Sequence, residues 1–298
     1  MKILITGVTG ALGRKLVPYL LKNKEVSILA IHRNIEKATQ LFGNTSSIQF
    51  ATLEESNEII AFKPEVIIHL ASYVTSSDLL EEGKKLIDSN IFYGVQLLDI
   101  LKIANSVKLF LNFGTFAEYK TGNEKINNTY LYSASKTAFR AFIEYYSSVQ
   151  NFQIIHLVPY TIYGTDDEKK KIFDFILDGF YSENPVNMSP GLQKLDFIHV
   201  DDVCSVIDTL IHSTSIHKFH THNIYLGTGE AHTLRQVAAM MESILGISPK
   251  HNWGGLSYRN QEVMYACANI NPLISLNCVP NIDLRSGILT YLKEKGLA

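Results

Sequence analysis

Short apolar runs rich in β-branched residues alternate along the chain with longer stretches whose apolar positions recur at helical spacing. KILIT (2–6) precedes the helical pattern ALGRKLVPYLLKN (11–23), then come VSILAIHR (26–33), IQFATL (48–53) and EVIIHLAS (65–72). A long helical pattern covers about 79–104, followed by KLFLNFG (108–114), a helix over about 130–150 and FQIIHLVPYTIYG (152–164). Strand runs bare of polar alternation are buried on both faces, which predicts a parallel sheet between helical layers. Right-handed crossovers make that an α/β doubly wound sheet. After Gly164 the rhythm changes, through the charged stretch TDDEKKK (165–171), a helix and a polar loop ending NMSPGLQK (187–194). LDFIHV (195–200) and NIYLGT (223–228) are expected as strands returning to the main body, and the chain from about 228 is helical and loop-rich. The pattern predicts a main domain over 1–164, to which 197–227 returns, and a smaller interleaved lobe over 165–298.

Composition narrows the class. With 298 residues, 46% hydrophobic and 19% charged, the chain can bury a large core, and its formal net charge of −2 gives no basic surface for nucleic acid or anionic membrane. Three widely spaced cysteines (Cys204, Cys267, Cys278) form neither a disulfide framework nor a CxxC site, as expected in a reducing compartment. MKILITG lacks the long apolar core of a signal peptide, and no run of about 18 apolar residues occurs. A cytoplasmic soluble protein is expected.

LITGVTGALGRKL places Gly7, Gly10 and Gly13 directly between the first strand and its helix. Glycines there allow a tight turn, a close approach to a pyrophosphate and tight helix–strand packing, while the helix N-terminus offers free N–H groups. A dinucleotide is the expected ligand, bound by the 1–164 domain. At the end of the second strand an acid would select the ribose 2′-hydroxyl of NAD(H). AIHRN carries Arg33 and no acid, and a guanidinium suits a 2′-phosphate, so NADP(H) is favoured with NAD(H) as the alternative.

TYLYSASKTAF (129–139) sets Tyr132 four places before Lys136, on one face of a helix. Together with Gly7-x-x-Gly10-x-x-Gly13, this pair makes the chain resemble the extended short-chain dehydrogenase/reductase family over nearly its whole length, most of all its nucleotide-sugar branch. The resemblance implies a Rossmann fold and a catalytic set of Thr115, in NFGTFAEY, with Tyr132 and Lys136. It also implies that the dinucleotide contacts Gly7, Thr9, Gly10, Ala11, Leu12, Gly13, Arg33, Thr52, Leu53, Leu70, Ala71, Asn90, Tyr132 and Lys136, with Pro159 through Ile162 passing the nicotinamide. Thr115, Phe116, Thr161, Lys194, Arg259 and Glu262 are the implied substrate contacts, the last two in YRNQEVM and Lys194 in PGLQKLDFIHVDDV. No metal is implied, and a homodimer is, formed by the helices at about 79–104 and 130–150, where AFRAFIEYY offers an outer apolar face.

A free phenol ionises near pH 10, too high by about 4 kcal/mol for proton exchange at neutrality, and an adjacent ammonium is expected to lower that. Tyr132 would then exchange a proton with the substrate oxygen while Lys136 holds the ribose and Thr115 donates to the same oxygen. Three departures from the family pattern stand out: Thr52 and Leu53 replace an adenine-contacting Asp, Val158 replaces an Arg, and Leu195 replaces an Arg for which Lys194 could substitute. Phe116 and Ala117 occupy the places where dehydratases of this branch carry an Asp-Glu pair. With Arg33, this points to NADPH-dependent reduction of a nucleotide-linked 4-keto-6-deoxy sugar, as by the 4-ketoreductases that make 3,6-dideoxysugars for surface polysaccharides. A nucleotide-sugar epimerase with retained NAD is the alternative, and a non-enzymatic dinucleotide sensor a third reading.

Other clusters read as structural. His212, His217, His220 and His222 lie in a polar stretch without cysteine, Asp201 and Asp202 precede a helical run as caps, and Met240 with Met241 falls on an amphipathic helix as core. EKKK (168–171) is a solvated face.

Overall fold

The computed structural model describes residues 1–43, 45–120, 125–165, 170–213 and 221–298. The chain separates into two compact units, one of Met1–Val158 with Cys204–Ile224 and one of Pro159–Val203 with Tyr225–Ala298.

The first unit opens with β1 (Lys2–Thr6), α1 (Ala11–Leu20), β2 (Ser27–Ile31), α2 (Ile35–Phe42), β3 (Ile48–Ala51), α3 (Ser56–Phe62) and β4 (Val66–His69). α4 (Leu80–Ile87) passes through a π-helical turn at Asp88–Phe92 into α5 (Tyr93–Ala104). β5 (Leu109–Phe113), a 3₁₀ turn at Phe116–Glu118, α6 (Leu131–Gln150) and β6 (Gln153–Pro159) follow. The seven-stranded sheet has the order β10-β6-β5-β4-β1-β2-β3, where β10 is Thr221–Leu226. Pairings from β3 across to β6 are all parallel. This is the doubly wound order, reversing direction between β1 and β4, where such sheets bind ligands. Leu4, Leu29, Ile67, Phe110, Phe139 and Ile143 are among the buried residues of its core. Each such side chain contributes about 1.5–3 kcal/mol when fully buried.

Next in chain order come β7 (Thr161–Tyr163), α7 (Ile172–Tyr181), β8 (Val186–Met188), β9 (Lys194–His199) and α8 (Val200–His212). After β10 follow β11 (Ala231–Thr233), α9 (Leu234–Leu245), β12 (His251–Trp253), β13 (Tyr265–Ala266), α10 (Asn271–Ser275) and α11 (Leu284–Glu294). LDFIHV was expected beside the main sheet, but as β9 it pairs with β7, β11 and β13 in a second sheet. FQIIHLVPYTIYG likewise divides at Tyr160, β6 staying in the main sheet and β7 joining β9. The second unit has its own core, built on Phe173, Ile176, Phe197, Val237, Met241 and Ile288, with Met240 packed against it. Asp202 caps no helix, since it accepts from the Asn281 and Ile282 amides, both at 3.0 Å, and so ties down the approach to α11.

Candidate active site

At the β1–α1 turn Gly7 has φ +69°, open to glycine but strained for other residues, and a Cβ there would lie 2.7 Å from the Ala71 nitrogen. A Cβ on Gly13 would run into the Val8 carbonyl oxygen, so the helix can approach its own loop only without one. Gly10 is the N-cap of α1, with no side-chain cap and no acid in the first turn. Those N–H groups are available to an anion, as a pyrophosphate requires. Thr9, Ala11 and Leu12 lie in this turn and helix start, while Leu70 and Ala71 follow β4, the neighbour of β1.

The strand ends carry a polar relay. Thr6 Oγ1 accepts from the Ala71 amide at 3.1 Å and meets His69 Nδ1 at 2.9 Å. Burial, with the nearby Lys136 charge, holds His69 neutral, with a pKa of about 3. Asn90, in the π-turn, is fully engaged. Its Nδ2 donates to Tyr73 O and Ser135 Oγ, both at 2.9 Å, and its Oδ1 accepts from Tyr73 N at 2.7 Å and Ser72 Oγ at 3.2 Å. It fastens the segment after β4 to α6, a positioning task that leaves its amide no free valence for a ribose. Arg33 is exposed and makes no hydrogen bond or ion pair among the described residues. Thr52 donates its amide to Glu55 Oε2 at 2.7 Å, and Leu53 beside it is buried.

Thr115 follows β5 and caps the 3₁₀ turn, its Oγ1 accepting from the Ala117 amide at 3.3 Å. Its O–H proton therefore remains to be given away. Tyr132 and Lys136 sit on successive turns of α6, with the tyrosine ring partly exposed and Lys136 only 2% exposed. Burial pushes the phenol up to about 12, aided by the Glu118 charge and opposed by a hydrogen bond from Ser72. Burial likewise pulls the Lys136 ammonium down to about 8, while Glu118 raises it and Arg140 lowers it. The phenol was expected to be lowered by its lysine neighbour; instead loss of water sets its shift, and the lowering contribution comes from Ser72. Lys136 makes no hydrogen bond or ion pair among the described residues. A buried, unpartnered ammonium, together with an uncapped helix N-terminus and a glycine turn in the same unit, fits a dinucleotide, whose ribose hydroxyls would accept from it.

Behind these residues lies a group that the sequence reading passed over. Glu118 is fully buried and forms an ion pair with Arg140, Nε to Oε2 2.8 Å. Two signals were present: Thr115-x-x-Glu118 has the spacing of a capping box, and Arg140 lies one turn beyond Lys136 on an apolar helix. Two cations on one buried face call for an anion.

The remaining candidates belong to the second unit. Pro159 ends β6, Thr161 and Ile162 are in β7, and Lys194 opens β9. Arg259 and Glu262 share a turn between β12 and β13, the Glu262 amide donating to Arg259 O at 3.1 Å. Lys194 and Arg259 are exposed, and Glu262 half-buried. Of the four histidines, His212 approaches its own helix at Asp208, Nδ1 to O 2.8 Å. His217, His220 and the His222 side chain lie outside the described residues, as do Glu168 and Lys169 of the EKKK run. Lys170 pairs with Asp178 at 2.7 Å. Among the described residues no group of three or more His, Cys, Asp or Glu side chains could hold a metal, and no helix is long and apolar enough to cross a membrane.

Residues 3–224 match the NAD dependent epimerase/dehydratase family, and the chain belongs to that family of short-chain dehydrogenase/reductase-type enzymes. It is similar to the CDP-abequose synthase of Yersinia pseudotuberculosis, 27% identical over 265 residues that span 89% of this chain and 91% of the relative. The CDP-abequose synthase of Salmonella typhimurium is 26% identical, covering 98% of this chain and 97% of its own. The structure of UDP-glucuronic acid 4-epimerase from Bacillus cereus, in complex with UDP-glucuronic acid and NAD, shares the fold with a TM-score of 0.88. That likeness holds at 22% identity over 100% of both chains.

Proposed function

We propose that the protein reduces a CDP-linked 4-keto-6-deoxy sugar to the corresponding alcohol, with NADPH as reductant, in making a 3,6-dideoxysugar for a surface polysaccharide. The observation that carries this reading is the pair directly after Thr115. Phe116 and Ala117 cannot move a proton, and the first acid beyond them, Glu118, is buried and committed to Arg140. Elimination of water therefore lacks its acid and base. The two CDP-abequose synthases support the substrate class, and unpaired Arg33 supports the 2′-phosphate of NADPH.

In this reading Thr115 donates to the C4 carbonyl oxygen, and Tyr132 passes its proton to that oxygen as it becomes an alcohol. Lys136 holds the ribose hydroxyls and stabilises the phenolate left behind. NADPH supplies the hydride to C4. Held protonated at neutral pH, the phenol carries the proton that reduction consumes. Lys194, Arg259 and Glu262 would hold the nucleotide diphosphate. Exposed Leu80, Ile87 and Ile103 of α4 and α5, and Phe142, Tyr145 and Val149 of α6, provide faces for a homodimer, which sedimentation at micromolar concentration would detect.

The deciding experiment supplies CDP- and dTDP-linked 4-keto-6-deoxyhexoses, with and without the 3-hydroxyl, together with NADPH. Stoichiometric loss of NADPH absorbance is expected. Isomerised sugar at constant absorbance would instead establish the epimerase, a reaction that Thr115, Tyr132 and Lys136 would serve equally well.

A further inference from the structure

We infer that Glu118 is a positioning residue, fastening the backbone of Thr115 to the helix that presents Tyr132 and Lys136, so that the three reacting groups are held as one rigid piece. The inference rests on the reading of those three as the reacting set. Its geometry is that of a strut. Glu118 Oε1 accepts from the Thr115 amide at 2.8 Å, while Oε2 accepts from Thr137 Oγ1 at 2.9 Å and from Arg140 Nε at 2.8 Å. One carboxylate thus joins the residue after β5 to the α6 residues one and four places beyond Lys136. Thr115 is left extended, at φ −158° and ψ 148°, with its hydroxyl directed by the Ala117 amide.

The surroundings are built for this carboxylate. A Cβ on Gly114 would collide with Glu118 Oε1, so the residue before Thr115 leaves the room it needs. The segment carrying Glu118 is pinned from the other side, since its carbonyl accepts from Asn127 N at 2.8 Å and the Ala117 carbonyl from Thr129 N at 3.0 Å. Those partners lead directly into α6. Arg140 is held in turn by Asn223 Oδ1 at 2.8 Å and lies over the Tyr119 ring at 5.9 Å. For cohesion alone a packed apolar pair would serve as well or better, because two buried charges lose their hydration. What the ion pair adds is direction, with each oxygen addressed to a particular donor, and a field at the site. The charged or titratable groups around Tyr132 and Lys136 are Glu118 after β5, Arg140 on α6 itself and His69 on β4.

The test compares the unaltered enzyme with Glu118→Gln and with the apolar replacement Glu118→Leu/Arg140→Met. It measures kcat, KM, cofactor dissociation constant and melting temperature. For Glu118→Gln we expect kcat to fall at least tenfold, with KM and the cofactor dissociation constant within about twofold and the protein folded. Unchanged kcat in a folded Glu118→Gln overturns the inference. Where Glu118→Gln does not fold, the apolar pair decides: restored folding with kcat still depressed supports the strut, and restored kcat overturns it. Should the unaltered enzyme leave the 4-keto sugars untouched, the functional reading fails separately. The inference is then read without substrate, from the Tyr132 resonance in ¹³C-tyrosine-labelled protein, assigned with Tyr132→Phe. Glu118→Gln removes an anion and leaves Arg140, so Tyr132 should ionise at lower pH and its resonance broaden from loosened packing. An unmoved titration and line width overturn the inference in that case too.

Discussion

Lys136 is 2% exposed and Glu118 not exposed at all, whereas Lys194 and Arg259, the charges expected to meet a substrate diphosphate, stand in solvent in the other unit. The first group is locked by strand ends, a helix and a chain of hydrogen bonds from Thr115 to Arg140. Of the second group, Lys194 opens a short strand and Arg259 lies in a loop, and their side chains make no hydrogen bond or ion pair among the described residues. Groups that move a proton must be placed within a fraction of an ångström and kept from water, which demands burial. Groups that hold a diphosphate need only charge and reach, and can rest on exposed loops. A chain built this way can change its sugar or base by surface substitution while leaving its reaction alone.

The contrast breaks most severely at the phenol. Tyr132→Phe should lower kcat by about 10²–10⁴-fold, the usual worth of a general acid, and leave the cofactor dissociation constant within about twofold. Retained turnover would remove Tyr132 as the proton donor. Burial of a charge also has a cost in the fold, and Lys136→Met should expose it. A lysine that ionises near pH 10.5 when unfolded and near 8 when folded loses about 3 kcal/mol of stability, in full below pH 8 and fading between pH 8 and 10.5. Denaturant melts should find Lys136→Met stabilised by up to that amount at pH 7, inactive, and without advantage above pH 10.5. No stabilisation at pH 7 would mean the ammonium is better solvated than its burial implies.

Arg33→Asp comes next, an exposed residue given a specific task. Loss of its charge-assisted contact should weaken NADPH by about 1.5–3 kcal/mol and NADH much less, in fluorescence titrations. Equal affinities of the unaltered protein for the two cofactors would count against Arg33. Smallest of all is Arg259→Ala, expected to raise KM about two- to fivefold with kcat retained, since an exposed ion pair contributes under about 1 kcal/mol. A fall in kcat there would erase the distinction between the two regions.

What could be read from the chain was what is local. The glycine turn after KILIT and the Tyr132–Lys136 spacing depend on neighbours within a few residues, so pattern alone located them. The second sheet was missed because β7, β11 and β13 are only two or three residues long and pair with β9 across long gaps in sequence, and LDFIHV carries no mark of which sheet it joins. Asn90 was placed on its helix, but its engaged amide is visible only once Tyr73 and Ser135 are brought to it. Glu118 was passed over for the same reason. Its meaning comes from Arg140, twenty-two positions on.

The π-turn at Asp88–Phe92 amounts to one residue too many in an otherwise regular α4–α5 helix. Each residue advances an α-helix by about 100°, and the wider turn absorbs the surplus residue, so the helix after it keeps its phase. Ahead of the turn, Leu86 is aligned with the interior; beyond it, Leu97, Leu98 and Leu101 are, and Asn90 stands at the seam. Excising Ser89 would therefore do more than shorten the rod. It would restore the regular winding with the two halves still in phase, so the leucines keep their places while Asn90 loses the wide turn that presents it to Tyr73 and Ser135. The extra residue is thus local information, and a single-codon deletion here should spare the packing of the leucines and cost the ties that Asn90 makes.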